Sequence, residues 1–435
     1  MREMKDSGLE WLGNVSSDVK LVPLKYLLKK ERMPIKVGPF GSQLSGTDFL
    51  KEESDFWVYN QRIVLDENYE AGDAYISSEK YETMIGFHVY EDDILITTRG
   101  TIGKISRIPH IHKPGILHPC IIRFRIDDSL YDYRLLKLIF NQSDFVTEQI
   151  LYKSNATTIE VIYSDTLKNV ILPVWDMQTQ RKIADFLDTK CSEIDALTAD
   201  IQTQIDTLEQ YKRSVITATV TKGLNPDVEM KDSGIEWIGE IPVTWDIIRG
   251  KYLLKYLQKP VKEDDGVITC FRDGEVTLRS NRREDGFTMS DKEIGYQGID
   301  AGDLVVHGMD GFAGAIGISD SRGKASPVLN VMDTKQNKRY IMYYLRSMAY
   351  SDVFVALATG IRVRSCDLRW NKLADLSYPV PSIEEQTAIV EYIDTTLEKT
   401  DVVISKKKAQ LETLDEYKKS LIYEYVTGKK EVPSI

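Results

Sequence analysis

The sequence Glu3-Met4-Lys5-Asp6-Ser7-Gly8-Leu9-Glu10-Trp11-Leu12-Gly13 returns at residues 229–239, where only leucine and isoleucine exchange. The match continues at the same spacing of 226 residues through 25–29, which returns at 251–255. A second series of matches relates 173–221 to 379–427 at a spacing of 206 residues. The segments between these matching parts therefore differ in length by 20 residues. The chain contains one frame twice, and each copy of the frame encloses a different insert.

The composition is that of an ordinary globular protein. Of 435 residues, 42% are hydrophobic and 28% are charged, and no apolar run approaches the roughly 20 residues that cross a bilayer. The four cysteines form no Cys-x-x-Cys pair, and the first residues do not resemble a signal peptide. We therefore expect a cytoplasmic protein without membrane contacts. The net charge of −11 is unusual for a nucleic-acid binder, although a local basic surface is enough to bind phosphate.

Two long segments have the apolar spacing of helices. Between 180 and 220 the apolar residues, among them Ile183, Leu187 and Ile194, lie mostly three, four or seven positions apart, and the pattern recurs between 384 and 426. Each helix would be about 60 Å long at about 1.5 Å per residue. A narrow apolar stripe on a long polar helix requires a partner helix, so the pattern predicts an antiparallel coiled coil. The alternative is two separate helices packed on separate domains.

The two inserts have the residue pattern of mixed α/β globules. Segments rich in β-branched and aromatic residues predict strands at 56–64, 94–108 and 116–126, and at 267–280, 303–307 and 314–319. Each insert ends in an apolar helical run, 131–151 or 338–355. We predict an α+β fold with two globular α/β domains separated by two long helices and related by a pseudo-twofold internal repeat. The predicted boundaries are 1–172 for the first globular domain, 173–228 for the central helical spacer, 229–378 for the second globular domain and 379–435 for the distal spacer.

The sequence lacks the common catalytic motifs. Asn225-Pro226-Asp227 has neither the second proline nor the aromatic residue of the motif found in methyltransferases that act on exocyclic amines. The segment 100–104 has the wrong glycine spacing for an ATP-binding loop, and no Ser-His-Asp signature stands out. These absences favour a non-catalytic protein that binds no cofactor of its own.

A weak metal-binding pattern lies in the first insert. His110-x-His112 and His118-x-Cys120 supply imidazole and thiolate groups, which suit zinc. Three prolines interrupt the segment, however, and no further cysteine pair completes a tetrahedral set. Histidines exposed on a hairpin or facing DNA are therefore the favoured interpretation.

Glycine-rich loops carry the residue types that read DNA. The loops at 38–43 and 97–104, and the counterpart of the latter at 307–314, combine glycines with donors and acceptors, and glycine lets a backbone approach DNA closely. Arginine can bind guanine through two hydrogen bonds, and glutamine or asparagine can bind adenine. The alternative is ordinary hairpin turns and solvated charges. The candidate DNA-binding residues are Gly41, Ser42, Gln43, Arg62, Thr98, Arg99, Thr101, Lys104 and Asn155 in the first insert, and Arg272, Arg279, Arg282, His307, Asp310, Arg362 and Arg364 in the second.

The combination of these motifs resembles the specificity subunits of type I restriction-modification systems. The resemblance includes the doubled Lys-Asp-Ser-Gly opening, Gly38-Pro39-Phe40-Gly41-Ser42, the 98–104 loop and the Tyr417-Lys418-Lys419-Ser420 helix ending, and it covers nearly the whole chain. One departure lies at 14–18, which lacks the proline and tryptophan found at 242 and 245 in the second copy.

The resemblance implies a function and a set of partners. The inserts would be target recognition domains, each reading one half of a bipartite sequence in double-stranded DNA. The helices would set the gap between the half-sites and dock two methyltransferase subunits, and two translocase/nuclease subunits would complete the complex. S-adenosylmethionine, ATP and Mg²⁺ are then expected in the partner subunits, with no cofactor bound by this chain. Two alternatives are a single-chain methyltransferase or nuclease with its own specificity region, and a coiled-coil adaptor that does not bind DNA.

Overall fold

The computed structural model describes residues 3–154, 161–282, 294–357 and 368–433. The chain divides into two compact units. The first unit comprises residues 1–200 and 409–435, and the second comprises 201–408. In the described ranges, no helix is both long enough and apolar enough to pass through a bilayer.

The first unit is built on two small sheets. Its strands are β1 (Met4–Asp6), β2 (Asn14–Ser16), β3 (Lys20–Pro23), β4 (Ile35–Val37), β5 (Phe56–Tyr59), β6 (Tyr75–Ile76), β7 (Ile94–Thr97), β8 (Ile105–Arg107), β9 (Gly115–Leu117), β10 (Ile121–Phe124) and β11 (Ile171–Val174). An antiparallel sheet has the order β4-β10-β7-β8, and a second sheet, β6-β5-β9, includes the parallel pair β5–β9. Strand β1 pairs with β2, and β3 pairs with β11.

The helices of the first unit surround these sheets. They are α1 (Gln61–Asp66), α2 (Ser78–Thr83), α3 (Tyr133–Asn141), α4 (Phe145–Ser154), α5 (Ser164–Lys168) and the first part of the long helix α6 (Met177–Lys222). The apolar faces of α3 and α6 share one core with the strands that they cover. This core includes Phe124, Leu135 and Leu187, all fully buried.

The second unit has the same arrangement of sheets in its frame. Its strands are β12 (Met230–Asp232), β13 (Glu240–Pro242), β14 (Asp246–Arg249), β15 (Leu254–Tyr256), β16 (Ile268–Cys270), β17 (Val276–Leu278), β18 (Gln297–Ile299), β19 (Leu304–His307), β20 (Ile316–Ile318), β21 (Gly323–Ala325), β22 (Leu329–Thr334) and β23 (Ser377–Val380). Its helices are α7 (Gly250–Leu253), α8 (Lys338–Tyr350), α9 (Val353–Ala356), α10 (Trp370–Asp375) and the first part of α11 (Ile383–Val426). The order β15-β22-β19-β20 repeats β4-β10-β7-β8, and the pairs β12–β13 and β14–β23 repeat β1–β2 and β3–β11. The prediction of a duplicated α+β frame is confirmed.

The two long helices pair antiparallel within each unit. In the first unit, Ile183 and Leu187 of α6 pack in one core with Ile422 of α11. In the second unit, Ile216 and Val220 of α6 pack with Ile389. The predicted coiled coil is therefore confirmed, and burial of each such side chain contributes on the order of 2 kcal/mol.

A duplicated ion pair sets the register of the helix pair. Lys418 Nζ lies 2.6 Å from Asp195 Oδ1 in the first unit, and Lys212 Nζ lies 2.5 Å from Asp401 Oδ1 in the second. Lys212 and Asp195 correspond to Lys418 and Asp401 at the repeat spacing of 206 residues. The same two positions of the repeat thus meet in both units, each time with one residue from each helix.

A buried glutamine joins each globule to its long helix. Gln180 is fully buried; its side chain accepts a hydrogen bond from the backbone N–H of Asp132 (2.9 Å) and donates to the carbonyls of Leu130 and Trp175. Gln386 is its repeat, accepting from the backbone N–H of Asn337 (2.9 Å) and donating to the Pro381 carbonyl. Asp132 and Asn337 are the N-caps of α3 and α8. The glutamine therefore fixes the start of α3 in the first unit and of α8 in the second.

Some predicted elements are shorter than the sequence suggests. The strand predicted at 56–64 ends at Tyr59, because the Asn60 side chain accepts hydrogen bonds from the backbone N–H groups of Arg62 and Ile63 and starts α1. The helical run at 131–151 is divided where the Ser143 hydroxyl donates to the carbonyl of Ile139 and accepts from the backbone N–H of Phe145. The bounds of the four predicted segments stay a prediction.

Arg322 and Lys259 form an ion network with three aspartates in the second unit. The Arg322 guanidinium donates to both carboxylate oxygens of Asp265 (3.0 and 2.8 Å) and to Asp300 Oδ1 (2.7 Å). Lys259 Nζ lies 2.7 Å from Asp300 and 2.6 Å from Asp303. The hydrogen bonds from Arg322 lower the pKa of Asp265 to about 2, and they also lower the pKa of Asp300.

Replacing Gln180 with leucine should destabilise the first unit. The change leaves the Asp132 N–H and two carbonyls without their buried partner, so we expect a loss of about 2 kcal/mol or more in the free energy of unfolding, measured in urea. Gln178→Leu, at an exposed position of the same helix, is the matched control and should change stability little. Equal unfolding midpoints for the two variants would contradict this role for Gln180.

Replacing Arg322 with methionine should remove a pH-dependent part of the stability. A carboxyl whose pKa is lower in the folded state stabilises the fold above its ordinary pKa of about 3.9, and the effect disappears as the pH falls toward the folded value. The variant should therefore be less stable than the wild type at pH 5, with the difference shrinking between pH 4 and pH 2 in urea unfolding. Arg249→Met, at an exposed position of the same unit, should show no such pH-dependent difference.

Candidate nucleic-acid interface

Two loops occupy equivalent places in the two units. One joins β7 to β8 at 98–104, and the other joins β19 to β20 at 308–315. In each sheet the loop connects an inner strand to the edge strand beside it. The predicted correspondence of the two loops is therefore confirmed by the topology, and their side chains differ.

The loop of the first unit is closed by its own hydrogen bonds. Thr97 Oγ1 donates to the Thr101 carbonyl (2.6 Å), and the Gly103 N–H donates to the Thr97 carbonyl (2.8 Å). Gly100 and Gly103 have φ angles of 68° and 80°, which glycine adopts without strain. The Thr98 hydroxyl, nearly buried, donates to the Cys120 carbonyl (2.9 Å).

Gln61 supports this loop from the start of α1. With its amide oriented to suit both partners, the side-chain nitrogen donates to the Arg99 carbonyl (2.8 Å) and the oxygen accepts from the Thr101 N–H (3.0 Å). A Cβ at Gly100 would lie 3.1 Å from the same amide. The glutamine therefore holds the backbone on both sides of Gly100.

The loop presents Arg99 to solvent. The Arg99 side chain is exposed and forms no hydrogen bond or ion pair with any residue that the structure describes. Arg62 is also exposed, but it has carboxylate neighbours at 3.5 Å in Asp66 and Asp73. Of the cations predicted to bind DNA in this unit, Arg99 is thus the one whose donors are available.

The turn at 38–43 lies beside the same segment as the Arg99 loop. The Gly38 N–H donates to the Ile121 carbonyl (2.9 Å), one residue from the Cys120 carbonyl that Thr98 contacts. Gly41, Ser42 and Gln43 are exposed, and Gln43 Oε1 accepts from the Phe40 N–H (3.0 Å). The segment 118–121 therefore brings the two predicted loops together, which sequence reasoning did not identify.

Lys104 is directed inward. Its ammonium donates to the carbonyl of Asn141 (2.6 Å), and burial lowers its pKa. Thr101 remains exposed in the loop. Asn155 in this unit, and Arg362 and Arg364 in the second, lie outside the described residues.

The other five candidates of the second unit line one open cavity of about 560 Å³. The cavity lies between the β16–β17 hairpin and the segment that begins at His307. Its candidate residues are Arg272, Arg279, Arg282, His307 and Asp310. Residues far apart in sequence thus form one polar site.

Arg272 and Asp310 form an ion pair at the rim of this cavity. Arg272 Nη2 lies 2.8 Å from Asp310 Oδ1, and 63% of the arginine side chain is exposed. The His307 Nδ1 accepts from the backbone N–H groups of Met309 and Asp310. His307 is therefore neutral, and burial lowers its pKa.

The other two arginines of the cavity, Arg279 and Arg282, also contact neighbouring side chains. Arg282 lies near the carboxylates of both Asp273 and Glu275 and over the ring of Phe271, with 4.3 Å between the guanidinium carbon and the ring centroid. Arg279 Nε lies within hydrogen-bonding distance of Thr269 Oγ1 (3.4 Å).

The histidines of the metal pattern have separate protein partners. His110 Nδ1 lies 2.9 Å from Glu91, His112 Nδ1 lies 3.0 Å from the Pro109 carbonyl, and His118 Nδ1 accepts from the Cys120 N–H. No group of three or more possible ligands arranged for a metal ion occurs in the described part of the chain. The arrangement gives no support to a zinc site here.

Comparison with known proteins identifies relatives along most of the chain. A family model described as the type I restriction modification DNA specificity domain matches residues 46–207. The chain is 25% identical over 405 residues to the type I restriction enzyme MjaVIII specificity subunit of Methanocaldococcus jannaschii, covering 86% of this chain and 89% of that protein. It is 22% identical over 377 residues to the EcoBI specificity subunit of Escherichia coli, covering 79% and 75%.

Solved structures share the fold. A chain in the structure reported as "Structural basis underlying complex assembly and conformational transition of the type I R-M system" matches with a TM-score of 0.65 and 12% identity, covering 96% of this chain and 99% of that chain. The HsdS subunit from Thermoanaerobacter tengcongensis matches with a TM-score of 0.50 and 12% identity, covering 96% and 98%.

The fold and the exposed loops define a class of protein with two unlike α+β modules on one duplicated helical frame. Its relatives along most of its length are specificity subunits of type I restriction-modification systems, and residues 46–207 match the DNA specificity domain of that class. The domain that the family model describes at 46–207 is a DNA specificity domain, not a catalytic one. Neither alternative, a single-chain methyltransferase or nuclease or a coiled-coil adaptor that does not bind DNA, is supported by these matches.

Replacing Gln61 with alanine should loosen the Arg99 loop. Two hydrogen bonds are lost, so the loop should open more readily by about 1–2 kcal/mol, corresponding to roughly tenfold faster amide exchange. Hydrogen exchange followed by mass spectrometry on peptides covering 97–104 measures the effect. Asp66→Ala, on the exposed side of the same helix, should leave this exchange unchanged. Unchanged exchange in Gln61→Ala would remove Gln61 as a support.

Proposed function

We propose that this chain reads a bipartite sequence in double-stranded DNA. The first unit reads one half-site through the loops at 38–43 and 98–104, and the second unit reads the other through the cavity that contains Arg272 and Asp310. Exposed arginines, hydroxyls and amides on rigid loops supply the donors and acceptors that base edges require. The chain carries out this reading without a cofactor of its own, in the cytoplasm.

The observation that carries this proposal is a duplicated frame with unlike loops. The β4-β10-β7-β8 sheet, the buried glutamine and the Lys–Asp pair all occur twice. At equivalent loops, however, the first unit has Arg99, whose side chain has no partner among the described residues, and the second has Asp310 paired to Arg272. A protein that reads two different half-sites requires this combination of a constant frame and different side chains.

The long helices supply the spacing and a surface for partners. Each unit exposes the same two positions of the repeat, Leu197 with Tyr417 in the first and Val403 with Tyr211 in the second, with each side chain between 41% and 52% exposed. Exposed apolar groups of this kind suit protein partners. Two equivalent surfaces match two methyltransferase subunits, and two translocase/nuclease subunits would join the complex. S-adenosylmethionine would bind to the former, and ATP and Mg²⁺ to the latter.

Methylome sequencing of a host that carries this chain and its methyltransferase partner tests the proposal. We expect methylation confined to one bipartite motif with a fixed gap, which disappears when this chain is deleted. Methyl transfer by the purified chain alone would contradict the non-catalytic role. Binding to DNA without sequence preference, in gel shifts that include the methyltransferase, would favour an adaptor instead.

Shortening both long helices by one heptad should change the gap and leave the half-sites intact. Residues 202–208 and 405–411 face each other in the register set by the Lys–Asp pairs, so their joint removal preserves the seam. Seven residues correspond to roughly 10 Å of helix, or about three base pairs of DNA. Methylome sequencing measures the new gap.

Deletion of 202–208 alone is the control for this experiment. It shifts the apolar seam of one helix against the other, so specific methylation should be lost. New half-sites with an unchanged gap in the double deletion would show that the helices do not measure the spacing.

A further inference from the structure

The position of Arg272 is set by its backbone. Arg272-Asp273-Gly274 is a three-residue hairpin loop between β16 and β17, closed by the Phe271 N–H donating to the Glu275 carbonyl (2.8 Å). Gly274 adopts a φ of 88°, the left-handed conformation that such a loop requires at its last residue. A Cβ at Gly314, in the facing loop, would lie 2.8 Å from the Arg272 carbonyl. The backbone of this loop is therefore fixed by its own closing hydrogen bond and by the close approach of the loop that contains Gly314.

The direction of the Arg272 guanidinium is set by Asp310. The carboxylate lies 2.8 Å from Nη2, and Asp310 is itself held by three backbone hydrogen bonds, because its N–H donates to His307 Nδ1 and its carbonyl accepts from Ala313 and Ala315. An exposed ion pair contributes little to stability. Its main consequence here is orientation, since arginine otherwise has many rotamers to lose on binding.

Arg272 has fewer carboxylate contacts than Arg282, so more of its N–H donors are available. A guanidinium has five N–H donors, and Asp310 is the single carboxylate that Arg272 contacts in the described ranges. Arg282, by contrast, is near two carboxylates and is only 39% exposed. Asp310 contacts Nη2, and because 63% of the side chain is exposed, further N–H donors of Arg272 remain accessible from solvent.

We propose that Arg272, oriented by Asp310, reads one guanine from the major groove in the half-site of the second unit. This inference rests on the proposed function and assigns a base to one residue. Guanine presents two acceptors, N7 and O6, which match two parallel N–H donors, whereas adenine presents one acceptor and one donor. The carboxylate of Asp310 beside Arg272 disfavours a phosphate oxygen at the same place, because like charges repel.

To test this inference, the full chain, assembled with its methyltransferase partner, is used to select its preferred sequences from a pool of randomised DNA duplexes. The wild-type complex should enrich a guanine at one fixed position of one half-site. Arg272→Ala should reduce the preference for guanine at that position by about 5- to 150-fold and leave the other positions unchanged. Arg272→Lys should weaken the preference less than Arg272→Ala does, because the lysine ammonium can still donate to guanine but lacks the planar fork. Asp310→Asn should weaken preference at the same position only.

Three controls separate base reading from other effects. Replacing that guanine by 7-deazaguanine removes N7 and should weaken binding of the wild type but not of Arg272→Ala. Lys255→Ala removes a positive charge from an exposed position of the same unit and should leave every base preference unchanged. Arg99→Ala should act on the half-site across the gap, which shows that the Arg272 effect belongs to the second unit.

The outcomes are distinct. Unchanged preference in Arg272→Ala, loss at a base other than guanine, or equal weakening on all sequences would overturn the inference while a bipartite target stands. Failure of the wild-type complex to enrich any bipartite sequence would instead overturn the proposed function itself.

Discussion

The antiparallel pairing of α6 and α11 is the constraint on which the rest of the molecule depends. Each helix is more than 40 residues long with a narrow apolar stripe, and neither stripe could be stable in water without the other. The pairing places Lys212 beside Asp401 and Lys418 beside Asp195. It also provides the buried surface to which each globule is attached by Gln180 or Gln386.

This attachment also fixes the sheets from which the two equivalent loops extend. The frame sheet in each unit is held against the helices, and the loop at 98–104 or 308–315 extends from its inner strand. The units then use different supports. The first holds the Arg99 loop through the Gln61 amide and leaves the guanidinium exposed, whereas the second ties Arg272 to a carboxylate. The same scaffold therefore presents two exposed arginines that are supported in different ways.

Much of the fold could be predicted from the sequence, but less of the arrangement of the candidate DNA-binding residues could be. Periodicity predicts helices at 180–220 and 384–426, and they lie within α6 and α11. Local patterns were less reliable where one side chain changed the outcome, as when Asn60 capped a helix inside a predicted strand. Residue type alone did not distinguish Arg99 from Lys104. Arg99 faces solvent, whereas the Lys104 ammonium donates a hydrogen bond to the carbonyl of a residue 37 positions away.

The sequence by itself determined the duplicated frame, the two long helices and the family resemblance, because repeats and periodicity are properties of residue order. Only the tertiary structure decided that Gln61 supports the Arg99 loop, that 118–121 joins two loops, and that Arg272 faces Asp310. These contacts join residues that are 22 or more positions apart. Such partners are chosen by packing, for which a single sequence carries no local signal.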